Sequence, residues 1–406
     1  MIVFSPSVNE GKLRPAYNND IYRFKSDSVL ASKYCDIELG GNPAANIPNI
    51  NIRLYPDPAG NFFVNFMPYI KSDINNTNFE DNLTPNLQAQ FPQSFIYDRT
   101  TERYLQRGTW FWITLADGSV DSAYKILDYL CSVTQAGDKL QMNKNSIYAL
   151  SPCKPDTANN YYLKYWQGYP FDVSLYYPKT GPLKVKNLTT LFNRDFTNTG
   201  KVHRLFFSDG RSDETLEDLL PMNEGFNTLE LTQTNLLGLA DSANTIIDTT
   251  VRSTLPNNTI YINLQKVPYE CGVYLKWFNP QGGYSYWLFE DTYSIDRSTK
   301  QLGELDFDNA NAEYTTARTR QIGKESQDTL KIIAELLTPD ERSVVETILD
   351  SPKIYLFTGK PFARNAADDW VEVTLKTTSA RLKNPRQQLT NFTFDVELPA
   401  RYTQTL

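Results

Sequence analysis

The chain carries a single histidine, His203, and four cysteines, Cys35, Cys131, Cys153 and Cys271. A Ser-His-Asp or Cys-His arrangement would therefore have to be built around His203. That residue sits in Lys201-Val202-His203-Arg204-Leu205-Phe206-Phe207. The run predicts a strand, with the imidazole facing solvent or a neighbouring side chain and no reacting group. The cysteines are scattered with no close pair, which predicts reduced thiols and neither a disulfide framework nor a zinc site. Asp306-Phe307-Asp308-Asn309-Ala310-Asn311-Ala312-Glu313 alternates its carboxylates as a calcium loop does. It lacks the central Gly and the correctly placed final Glu of an EF-hand loop, so it reads as a solvated loop. No phosphate loop or dinucleotide-binding Gly pattern occurs. Paired glycosidase carboxylates need only meet in space, and no spacing points to them. The chain reads as a protein without catalysis, cofactor or metal.

Composition sets the elements around these residues. The chain has 406 residues, a formal charge of −7 (40 Lys+Arg, 47 Asp+Glu), and 25 Tyr and 22 Phe, with Pro (23) ahead of Gly (19). Many large aromatics and frequent prolines predict a mainly β fold in several domains. The acidic balance argues against a phosphate-binding groove and so against sequence-specific nucleic-acid binding. No apolar run reaches bilayer length, and Met1-to-Pro15 has no signal-peptide pattern, which predicts a soluble chain folded in a cytoplasm.

Residues 1–75 read as an immunoglobulin-like β-sandwich module. Ile21-to-Phe24, Tyr34-to-Leu39 and Ile50-to-Tyr55 alternate apolar and polar residues, and Pro56-to-Asn61 makes a turn into Phe62-to-Phe66. The Asn-, Thr- and Pro-rich stretch from Asn75 to Pro92 reads as an exposed linker. A β-rich middle domain, 93–255, is predicted from strands at Tyr104-to-Leu115, Tyr161-to-Trp166, Asp172-to-Tyr177 and Val202-to-Phe207. Within it, Ala123, Ile126, Leu127, Leu130 and Cys131 suggest a short amphipathic helix over Ser122-to-Val133, between Gly118 and Gly137. The aromatics of Tyr161-to-Trp166 and Tyr176-Tyr177 fit core packing better than a sugar platform. No fixed-period repeat is visible.

The third domain, 258–406, has the clearest signals. Thr259-to-Leu264 and Gly272-to-Phe278 alternate, and Asn279-Pro280-Gln281-Gly282-Gly283 turns the latter into Tyr284-to-Phe289. A helix is predicted over 338–349, with Thr338 and Glu341 as a capping box, Pro339 in the first turn and Ser351-Pro352 as the stop. Strands follow at Lys353-to-Thr358, Trp370-to-Thr377 and Leu389-to-Leu398. A basic loop runs from Lys376 to Arg386, read as a solvated tip or a contact with an acidic neighbour or DNA.

Several of these segments resemble structural tail and collar proteins (ring or hub) of crAss-like tailed phages infecting Bacteroidetes. The resemblance lies in Gly272-to-Asn279 with Gly282-Gly283-Tyr284 and Tyr286-to-Phe289. It extends to Leu337-to-Glu341 with Ser351-to-Leu356, to Leu389-to-Leu398, and at the N-terminus to Pro15-to-Asn19 and Tyr55-to-Phe62. It implies a virion structural protein forming a homo-oligomeric ring in the tail, collar or baseplate, assembled in the host cytoplasm. It also implies other tail, collar or portal-proximal proteins as partners, DNA passing through the lumen, and a tail-tube or hub-like fold for 258–406. The expected subunit interface is Tyr274, Trp277, Tyr284, Trp287, Phe392 and Phe394, with Arg381, Lys383 and Arg386 of the basic loop. The competing readings are a virion adhesin for host-surface glycans and a carbohydrate-active enzyme.

Overall fold

A computed structural model describes all residues except 42–47, 76–79, 138–140, 153–158, 179–181, 198–199, 234–258, 307–317, 378, 383–388 and 405–406. The fold is mainly β, as the composition predicts, and its described strands form five sheets. No helix among them is long and apolar enough to cross a membrane.

The first sheet joins β1 (Ile2–Phe4), β3 (Ile21–Ser26) and β6 (Phe62–Asn65). The second runs β2-β9-β8-β4-β5, where β2 is Leu13–Pro15, β4 Ser32–Leu39, β5 Ile50–Leu54, β8 Tyr104–Leu115 and β9 Val120–Leu130. The two pack as a sandwich around Phe111, whose ring lies 5.1 Å from both Phe4 and Phe24. The helix α1 (Met67–Asn75) follows β6 and buries Ile70 and Ile74. The leading module thus does not end at residue 75. β4 hydrogen-bonds to β8 along its length, so strands assigned from sequence to the middle domain complete its second sheet.

The predicted helix over Ser122-to-Val133 is instead the strand β9. It pairs antiparallel with β8 from Tyr104↔Leu130 to Thr114↔Val120. Gly118, read as a helix flank, lies at φ +88° in the connecting turn, where Asp117 accepts a hydrogen bond from the Ser119 amide at 2.9 Å. A long strand next door supplied ladder partners that a helix could not use.

The third sheet runs β10-β12-β15-β7, where β7 is Ile96–Asp98, β10 Tyr148–Ala149, β12 Pro170–Tyr176 and β15 Val202–Asp209. The short helix α2 (Thr100–Arg103) leads from β7 to β8. The fourth sheet runs β11-β17-β16-β13-β14, with β11 Asn160–Trp166, β13 Leu183–Asn187, β14 Asn193–Phe196, β16 Gly225–Gln233 and β17 Thr259–Val267. Tyr165 of the fourth sheet packs on Phe171 of the third at 5.4 Å. Because β17 sits between β11 and β16, the boundary at 258 also falls inside a sheet.

The fifth sheet runs β19-β18-β22-β23-β24-β21-β20. Its strands are β18 Gly272–Phe278, β19 Tyr284–Glu290, β20 Ser294–Asp306, β21 Thr319–Leu337, β22 Ile354–Phe357, β23 Trp370–Leu375 and β24 Thr390–Glu397. The β18–β19 turn docks this sheet on the rest of the chain. A Cβ on Gly282 or Gly283 would collide with the Cys131 or Leu150 carbonyl, so glycine there permits the close approach.

The helix α3 (Pro339–Val345) continues as a 3₁₀ turn to Asp350. Its capping box forms as predicted: Thr338 Oγ1 accepts from the Glu341 amide at 3.4 Å, and Glu341 Oε2 accepts from the Thr338 amide at 2.8 Å. Thr338→Ala is expected to lower stability by about 1 kcal/mol. An unchanged denaturation midpoint would dismiss the cap as a stabilising contact.

Candidate assembly surface

The hairpin β20–β21 leaves the body of the protein. From Thr329 to Leu337, β21 pairs with β24, with β20 on its other side only as far as Lys331, and largely alternates buried and open positions. Beyond the Ser298–Gln327 pair the two strands run on as a ribbon to Asp306–Thr319, roughly 25 Å at about 3.3 Å per residue. β20 is exposed on both faces nearly throughout, and Ile295, Leu302 and Leu305 are among the exposed apolar side chains. At its root Asp328 is held by Arg297 at 2.7 Å and Arg401 at 3.0 Å. An isolated two-stranded ribbon is at best marginally stable in water, and its outer edge offers unpaired amides and carbonyls.

A second open surface lies on the outer face of β8 and β9. Trp110 stacks on Trp112 at 5.7 Å and leans on Tyr124 at 4.6 Å, and Trp110, Tyr124 and Ile126 are all substantially exposed. They line a groove of about 720 Å³ that continues past Gly40 and Gly108 to Lys201. Gly108 gives this groove its depth, since a Cβ there would strike the Tyr124 ring. Exposed apolar area of this kind normally marks an interaction site.

The predicted interface residues lie elsewhere. Tyr274, Trp277, Tyr284, Trp287, Phe392 and Phe394 are all buried within the chain's own core. Trp277 Nε1 donates to Thr347 Oγ1 beneath α3 at 2.9 Å, and the Tyr274 hydroxyl donates to the Pro170 carbonyl. Phe394 packs on Phe392 and Phe289. Tyr274 and Trp287 are covered by Pro170 and Trp166 of the third and fourth sheets and Trp277 by the turn after α3, and the burial of all six rings leaves none as surface for another subunit. Arg381 is exposed; Lys383 and Arg386 lie outside the described residues, as does the acidic stretch beyond Asp306. Cys35, Cys131 and Cys271 are free thiols, Cys153 lies outside the described residues, and burial pushes the Cys35 thiol up to about 12. No cluster of three or more His, Cys, Asp or Glu suited to a metal occurs among the described residues.

No family model and no curated protein matches the chain. Solved structures similar to it include fibronectin(III)-like modules of Clostridium thermocellum CbhA, at 8% identity and a TM-score of 0.18, covering 66% of this chain and 95% of that one. They also include a tetra-tandem repeat from the extending region of a large adhesion protein, at 9% identity and a TM-score of 0.23, covering 91% of this chain and 64% of that one.

Behind these surfaces a buried charge cluster ties three parts of the chain together. Asp81 accepts from Arg204 Nη1 and Lys276 Nζ, both at 2.7 Å. Asp172 accepts from Arg204 Nε at 3.1 Å and Nη2 at 2.6 Å, and from the Tyr286 hydroxyl. Lys276 also lies 4.2 Å from the centre of the Trp370 ring. Desolvation opposes the Asp81 carboxylate, but Arg204 and Lys276 outweigh it and hold that carboxyl below the ordinary range. Asp81 comes from the stretch predicted to be an exposed linker, which is instead drawn inward by this ion pairing and by the buried Leu87. The sequence signal for the other members was a charge inside an apolar strand: Asp172, Arg204 and Lys276 each interrupt such a run.

His203 is also buried, and neither ring nitrogen has a hydrogen-bond partner among the described residues. Burial pushes its pKa down to about 4. The strand prediction holds, and of the two environments expected for the side chain it takes the neighbouring one, with Tyr177 6.4 Å away.

Proposed function

We propose that this chain is a non-enzymatic structural protein that assembles head-to-tail with copies of itself, the ribbon β20–β21 of one copy lying in the Trp110–Tyr124 groove of the next. The observation that carries this reading is a long two-stranded ribbon exposed on both faces. A ribbon and a groove on different parts of one chain make a heterologous contact, which closes into a ring when the rotation permits. The exposed Ile295, Leu302 and Leu305 supply apolar groups for the exposed Trp110, Tyr124 and Ile126. A ring of this kind suits the tail, collar or baseplate position in a phage virion that the sequence resemblance implies. The basic loop around Arg381 belongs to the same proposal as a second contact to the neighbouring copy.

Replacing Thr299–Ser326 by an Asn-Gly turn between the paired Ser298 and Gln327 removes the ribbon and leaves its root in register. Sedimentation is expected to show an oligomer for the wild type and a monomer for this variant and for Trp110→Glu. Mixing the two variants should restore one good contact per pair and yield dimers without rings. A wild-type chain that stays monomeric at high concentration, or variants that still form rings, would overturn the proposal.

A further inference from the structure

A separate cavity of about 270 Å³ opens where β11, β12, β17, β19 and α3 converge. Its walls include aromatic rings that are open to solvent: Phe226 is 66% exposed and Tyr162 42%. Tyr162 is thus the outward ring of the aromatic run on β11, whose neighbours Tyr161, Tyr165 and Trp166 are core. Trp287 lies deeper, with the Lys164 ammonium 5.1 Å from its ring centre.

Apart from Asp340 at the rim, the polar groups around these rings are neutral or neutralised. Lys164 is paired with Glu341, whose other oxygen accepts the Thr338 amide, and Asp172 is held by Arg204. The amide side chains Asn263 and Gln265 line one wall, and Asn263 Oδ1 accepts from the Thr228 hydroxyl at 3.0 Å. Two further lining residues, Ser151 and Ser174, are over nine-tenths buried, and their hydroxyls have no hydrogen-bond partner among the described residues. Buried hydroxyls without partners are costly, and a ligand that both donates and accepts hydrogen bonds relieves that cost.

We infer that this cavity binds a neutral sugar residue. Such a ligand offers an apolar C–H face to Phe226 and Tyr162 and hydroxyl groups to the serine and amide side chains. A sugar acid or phosphorylated sugar is disfavoured, because the lysine of the lining is already held by Glu341 and Asp340 adds an acidic rim. The size suits one ring, below the range of drug-sized ligand sites. This inference does not rest on ring assembly: the cavity is separate from the ribbon and from the Trp110 groove.

The test is calorimetric titration of the full chain with neutral hexoses and N-acetylhexosamines at millimolar concentration, together with an array of neutral and acidic oligosaccharides. Binding to a neutral saccharide is expected, weakened roughly tenfold by Phe226→Ala and by Tyr162→Ala. Both rings are exposed, so these variants should melt as the wild type does and sediment identically. The inference is overturned if no neutral saccharide binds, if acidic glycans are preferred, or if both variants bind with wild-type affinity.

Discussion

Asp172→Asn is expected to destabilise the protein by about 3–5 kcal/mol. The carboxylate is 2% exposed and accepts three hydrogen bonds, two from Arg204 and one from Tyr286. Its loss leaves two buried cations, Arg204 and Lys276, sharing the single carboxylate of Asp81. Desolvation of an uncompensated guanidinium is the physical cost, and it falls at the junction of the third and fifth sheets. Chemical denaturation reads it as a lower midpoint. Asp36→Asn is the matched control: its bidentate pair with Arg53 is exposed on both sides, so little change is expected there. Equal effects from the two variants would show that the buried cluster does not hold the sheets together.

Lowering the pH from about 6.5 to about 4 is expected to cost the fold about 3 kcal/mol through His203 alone. In the unfolded chain this imidazole takes a proton near pH 6.5; in the fold burial delays it to about pH 4. Between those values the unfolded state binds the extra proton, so stability falls as pH falls. His203→Leu removes the titrating group and should flatten this part of the stability profile. It should cost little at pH 7, because the ring nitrogens it removes have no partners among the described residues. Asp81 adds acid sensitivity only below the ordinary carboxylate range, since its carboxyl is depressed in the fold. Parallel wild-type and variant profiles between pH 6.5 and 5 would contradict the buried, neutral histidine.

Much of the strand set was legible in the sequence because its signals are local. β8 spans Tyr104–Leu115 and β18 spans Gly272–Phe278, with the bounds that alternation and turn residues predict. The Thr338–Glu341 box formed because both partners lie within one turn of the helix that they cap. β9 was misread because apolar residues at Ala123, Ile126, Leu127 and Leu130 also fit a helical period. Which period applies was settled by β8, a partner from outside the segment. The ribbon β20–β21 left no periodic trace, since strands with both faces in water have no reason to alternate.

Read alone, the sequence determined a mainly β chain, many of its strands, one capped helix and a single histidine on a strand. Each of these depends on residue type and on neighbours a few positions away. Only the tertiary structure decided which surfaces are inside. β18 and β19 are aromatic-rich, and such runs fit a subunit interface and a doubly covered core equally well. They became core because strands more than a hundred residues earlier in the chain, β11 and β12, close over them. The same packing drew Asp81 into the interior beside Arg204 and Lys276 and left the ribbon in solvent. Burial is a property of the partner that arrives, and for these segments the partner is distant in sequence.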